Sequence, residues 1–113
     1  MEWITLDLPN LDPEAPARPL YETKVAGRRL CLAHYRGRWH AVDARCPHAG
    51  GPLADGHLDE AGCVVCPWHR FAFDLRSGKS DSGGYYLHTY PVRVRRGRLQ
   101  VQVAPRKPWW RFW

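Results

Sequence analysis

The chain has no apolar run approaching the roughly twenty residues that a membrane-spanning helix needs. Nor does it have an early apolar stretch of signal-peptide length, so the expectation is a cytoplasmic protein with no transmembrane segment. Apolar residues spaced for a helix face are scarce. Ten glycines and ten prolines in 113 residues instead punctuate short alternating runs, which points to an all-β fold. The length gives one domain, residues 1–113, with a modest core and no room for a second. A catalytic constellation is also missing. Asp55, Asp59 and Asp74 sit near turns without forming an acid/base set, so no catalytic residue is expected and the chain should do no substrate chemistry by itself.

What the sequence does have is concentrated between Cys46 and His69. One stretch reads Cys46-Pro47-His48-Ala49-Gly50-Gly51-Pro52-Leu53, and a second reads Cys66-Pro67-Trp68-His69. Each supplies one cysteine and one histidine, with a proline beside the cysteine. Thiolates suit zinc, copper(I) and iron–sulfur clusters, whereas imidazole suits zinc, copper, iron and nickel. Tetrahedral zinc and a two-iron cluster with split ligation are therefore both open. Zinc fingers usually draw both cysteines from one turn and both histidines from a helix. The division here favours the cluster, with Cys46 and Cys66 on one iron and His48 and His69 on the other, the ligand set of a Rieske centre.

On these residues, with Phe73-Asp74 and Gly78, the chain resembles the Rieske-type [2Fe–2S] ferredoxins, small carriers related to those serving ring-hydroxylating dioxygenases. The match is strongest over about residues 42–78 and extends in strand pattern to about residue 103. The resemblance implies an antiparallel β-sandwich carrying a small cluster-binding subdomain, about residues 44–76, made of two loops. It also implies a [2Fe–2S] cofactor bound by Cys46, His48, Cys66 and His69, with electrons passing from a flavin reductase to an oxygenase or similar acceptor. Two alternatives stand beside that reading: the small Rieske subunit of a larger oxidoreductase such as nitrite reductase, and a zinc-bound interaction module.

Departures from the family pattern carry information. Respiratory Rieske proteins add a disulfide-forming cysteine to each loop, where this chain has Gly51 and Trp68. They also place hydroxyl residues after the second motif, where this chain has Arg70, Phe71, Ala72 and Phe73. Fewer hydrogen bonds to sulfur leave the reduced cluster less stabilised, so the expected potential lies at the low end of the Rieske range, roughly −150 mV. Arg70 stands where ferredoxins usually have glycine.

Along the chain, residues 1–8 read as a first strand and the proline-rich 9–19 as a connector. Residues 20–25, 29–35 and 39–42 read as strands joined by tight turns, 58–65 as a hairpin, and 71–75 as a further strand. A closing hairpin is expected from 87–94 and 99–103, with Val92, Val94, Leu99, Val101 and Val103 on one half-buried face. Leu53 and Trp68 are expected to shield the site, with Tyr85 and Tyr86 partly covering it. Cys31 and Cys63 read as small buried hydrophobes, and His34, His40, His57 and His88 as ordinary strand or surface residues. The net charge is +6, with a basic run at Arg93, Arg95, Arg96 and Arg98. That run suits steering onto an acidic redox partner and is too weak a signal for nucleic acid. The basic aromatic tail, residues 104–113, is expected to fold back on the domain, grip a partner or make a peripheral membrane contact.

Overall fold

A computed structural model of the chain describes residues 3–8, 11–68, 70–81 and 84–103. The expectations placed on His69 and on the tail 104–113 lie outside these residues.

Ten strands and one short 3-10 turn, Leu53–Asp55, make up the regular structure of the described residues, and no helix among them is long and apolar enough to cross a membrane. The strands are β1 (Trp3–Thr5), β2 (Leu20–Val25), β3 (Arg28–Tyr35), β4 (Arg38–Asp43), β5 (His57–Leu58), β6 (Cys63–Val65), β7 (Ala72–Asp74), β8 (Thr89–Tyr90), β9 (Val92–Arg95) and β10 (Arg98–Gln102). They form three antiparallel sheets in the orders β1-β10-β9, β2-β3-β4-β8 and β5-β6-β7.

Three hairpins close on two-residue turns. Ala26-Gly27, Arg36-Gly37 and Arg96-Gly97 all have positive φ (51° and 79°, 49° and 78°, 55° and 73°), the backbone of the type I′ turn that matches strand twist. Register follows, with Val25 opposite Arg28, Tyr35 opposite Arg38 and Arg95 opposite Arg98.

Strand β3 explains the layering. Leu30 and Leu32 point to one face and Cys31 and Ala33 to the other, and all four are fully buried. The first pair packs with Ala41, Leu99, Val101 and Val103 between the two larger sheets. The second pair packs with Val42, Cys46, Leu53, Val64, Cys66 and Phe73 beneath the small sheet. The site is thus bolted to the far face of the central strand. This is the expected sandwich, and the part that carries the two Cys/His loops also has a three-stranded sheet of its own.

The closing hairpin differs from expectation. Residues 87–94 do not form one strand: β8 pairs with β4, β9 pairs with β10, and Pro91 separates them. Proline has no N–H for a ladder and tends to sit at strand breaks. Its carbonyl is still used, accepting from the Gln102 N–H at 3.0 Å. The chain therefore changes sheet at Pro91, and Val94, expected on the half-buried face, is 42% exposed. Asp43 anchors the crossing by accepting from the His88 N–H and the Tyr90 hydroxyl.

Candidate metal centre

The two loops share one hydrogen-bond scheme. In the first, the Cys46 N–H donates to the Gly51 carbonyl and the Gly50 N–H donates back to the Cys46 carbonyl, at 2.9 and 2.7 Å. In the second, the Cys66 N–H donates to the Phe71 carbonyl and the Arg70 N–H donates back to the Cys66 carbonyl, at 2.9 and 3.0 Å. Each loop is a turn closed by a left-handed residue at the fourth place after its cysteine, as at a helix C-terminus. Gly50 has φ 77° and Arg70 has φ 57°. The doubled motif in the sequence is a doubled backbone structure.

This geometry buries both cysteines, at 1% and 0% exposure, and places their sulfurs within hydrogen-bonding reach of each other. Gly51 is part of the reason. A Cβ built there would lie 2.7 Å from the Cys66 Sγ and 3.2 Å from two Trp68 ring atoms. Burial raises the Cys46 thiol above its ordinary pKa and the neighbouring Cys66 adds to this, while the backbone N–H groups of His48 and Ala49 lower it. The Cys46 thiol, buried beside a second sulfur, is thereby disfavoured as an anion until a metal cation supplies the missing charge.

His48, in contrast, is exposed at the surface end of its loop. Phe71 meets its ring edge-on at 4.5 Å between centroids, and Tyr85 does the same at 5.3 Å. Tyr85 therefore covers the site as expected, but Tyr86 is 58% exposed and rests against His88. Phe71 was not expected as a wall of the site. Its alternation with Phe73 was visible in the sequence, but not the loop closure that turns it toward His48. Leu53 is fully buried beneath the cysteines, whereas Trp68, expected as a shield, is 58% exposed. Its ring covers Gly51 on one side and faces solvent on the other.

A family model for the Rieske [2Fe-2S] domain matches residues 10–89. The chain belongs to the Rieske family.

Among related Rieske proteins, the ferredoxin component of an alkene monooxygenase system from Xanthobacter autotrophicus is 32% identical over 82 residues, covering 72% of this chain and 67% of the relative. The ferredoxin subunit of a 3-phenylpropionate/cinnamic acid dioxygenase from Photorhabdus laumondii is 38% identical over 77 residues, covering 66% of this chain and 73% of the relative. A solved structure assigned to the small subunit of an NADH-dependent nitrite reductase from Mycobacterium tuberculosis superposes with a TM-score of 0.77 at 26% identity, over 91% of this chain and 96% of that one.

The Rieske cofactor is a [2Fe–2S] cluster, and the residues present fit it. Two thiols converge in a buried pocket with amide donors beside one sulfur, and an imidazole stands outward of them, which matches two sulfur ligands on an inner iron and nitrogen ligands on an outer one. The fourth member of the motif, His69, lies outside the described residues. Cys31 is fully buried in the core, its thiol pushed up to about 12 by burial and by the Glu22 carboxylate. Cys63 is only half-buried, less than expected; burial and the carboxylates of Asp59, Asp74 and Asp81 all raise its thiol. Of the other histidines, His34 packs against Trp39, and His40 is lowered by burial and by Arg76 and Arg38.

Proposed function

We propose that this Rieske protein carries one electron at a time on a cluster bound by Cys46 and Cys66 through sulfur and by His48 and His69 through imidazole nitrogen. The observation that carries this reading is the asymmetry of the doubled loop, with buried thiols inside and an exposed imidazole outside. The bound cluster supplies a one-electron redox couple.

The chain's own residues set the conditions. The cysteines, packed among Leu53, Val64 and Phe73, hold the inner side away from water. The His48 and Ala49 N–H groups stabilise negative charge on Cys46 sulfur. His48, with its ring edge fixed by Phe71 and Tyr85, offers the surface path for the electron. The cluster-binding part spans about residues 44–76. The relation to two ferredoxin components of oxygenase systems supports an oxygenase as the acceptor, and the same reading takes a flavin reductase as the donor and the cytoplasm as the place. The nitrite reductase neighbour favours a second reading, in which the chain is the small subunit of a larger reductase.

The test is electron paramagnetic resonance of the dithionite-reduced protein with resolution of nitrogen hyperfine coupling. Coupling to two imidazole nitrogens is expected, and it should be lost from one site each in His48→Cys and His69→Cys. A reduced cluster with no nitrogen coupling overturns the ligand assignment. Stable co-purification with a large reductase subunit selects the second reading.

A further inference from the structure

The two loops are equivalent in hydrogen bonding, yet unequal at the residue that closes them. The left-handed position is glycine in the first loop and arginine in the second. Glycine adopts that backbone at no steric cost and arginine does not. Among the described residues the other left-handed non-glycine residues, Ala26, Arg36 and Arg96, are in hairpin turns and are followed by glycine. Arg70 is followed by Phe71 and closes a loop of the candidate metal centre. A strained residue at such a place points to a role for its side chain.

The surroundings say which role. Arg70 is exposed, and among the described residues its guanidinium has no ion-pair partner, whereas Arg29 and Arg45 both reach Glu22. Arg18, Arg36 and Arg93 lie over the rings of Tyr21, Tyr35 and Trp3. Two residues before Arg70, Trp68 turns an apolar ring to solvent. An uncompensated cation two residues from an exposed aromatic is the composition of a docking point, because Arg and Trp concentrate binding energy at interfaces.

We propose that Arg70, together with the nearby exposed Trp68 of the same loop, is the contact that seats an acidic redox protein on the cluster end of the molecule, its guanidinium meeting a carboxylate of the partner. This rests on the electron-carrier reading and adds the sign of the partner's docking face.

The experiment follows, by stopped flow, the oxidation of the reduced holoprotein by plastocyanin, whose docking face is acidic, and by cytochrome c, whose face is basic. Arg70→Gly and Arg70→Asn both remove the charge at residues that tolerate the left-handed backbone. Arg96→Gly is the matched control, since it removes the same charge and the same strain from a turn of a different sheet (φ 55°). Both Arg70 variants are expected to slow the reaction with plastocyanin about fivefold at low salt, the worth of one unit-charge pair at contact in water. They should not slow the reaction with cytochrome c, and the effect should vanish near 1 M salt. Arg96→Gly should change either rate by less than about twofold.

Equal effects from Arg70 and Arg96, equal slowing toward both acceptors, or slowing that survives high salt overturn the proposal. So does loss of the cluster from both Arg70 variants, which would make the arginine structural. The paramagnetic spectrum of the reduced wild type decides the carrier reading separately. With that signal present and the Arg70 effect absent, only the docking contact falls.

Discussion

Replacing Gly51 with alanine places one methyl group where the two loops of the site meet. Its Cβ would stand 2.7 Å from the Cys66 Sγ and 3.2 Å from the Cγ and Cδ2 atoms of Trp68. Non-bonded carbon atoms rest at about 3.5–4.0 Å, so the sulfur must retreat by roughly 1 Å. The backbone at Gly51 is not left-handed, so the perturbation is steric and local. Overpacking of this kind costs about 1–3 kcal/mol, which a domain of this size tolerates. A metal site is less forgiving, because ligand distances hold to about ±0.2 Å. The expected outcome is therefore a folded protein that has lost most of its cluster. Iron per chain and visible absorption should fall sharply, while the β signature in far-ultraviolet circular dichroism persists and the apo-chain unfolds about 1–3 kcal/mol more easily. Gly37→Ala serves as the control: its φ is +78° and nothing lies within 4 Å, so it should cost stability and leave iron content alone. Full iron loading and an unchanged spectrum in Gly51→Ala would refute the close approach on which this reasoning depends.

Other outcomes follow from single contacts. Tyr90 donates to the Asp43 carboxylate at 2.6 Å, and burial together with that bond pushes its pKa up to about 12. A pKa raised on folding contributes stability that is complete below the unfolded value near 10 and is lost as pH rises toward 12. Unfolding followed from pH 9 to 12 should show this alkaline loss, and Tyr90→Phe should flatten it. Ala26 is held at φ 51° in its hairpin turn, so Ala26→Asn should stabilise the apo-chain by about 0.5–1 kcal/mol in denaturant titrations. No gain would mean the turn is not strained at Ala26. In the native protein at neutral pH, iodoacetamide should reach Cys63 well before the buried Cys31, and denaturant should remove the difference. Labelling of Cys31 as fast as Cys63, read by peptide mass spectrometry, would contradict its burial.

The sequence by itself determined which donor types the two loops can offer and where most of the strands lie. Cys46-Pro47-His48 and Cys66-Pro67-Trp68-His69 specify the soft and imidazole donors, because donor type is a property of the residue and not of its surroundings. The strands of the β2–β3–β4 meander were legible because period-two alternation and turns closed by Gly27 and Gly37 are local signals. Tertiary structure decided what depends on neighbours distant in the chain. Alternation could not say that the run 87–94 divides between two sheets at Pro91, since strand partners are chosen by packing. It could not say that Val94 is exposed while Leu99, its partner across the ladder, is buried. The same holds at the site, where a glycine in a motif signals freedom of backbone but not which atom comes close. Only folding brings Gly51 against the Cys66 sulfur, Phe71 and Tyr85 against His48, and the Arg70 backbone into the left-handed form. The contacts of Gly51 and of His48 join segments that meet only when the chain folds, a constraint that neither loop's own sequence contains.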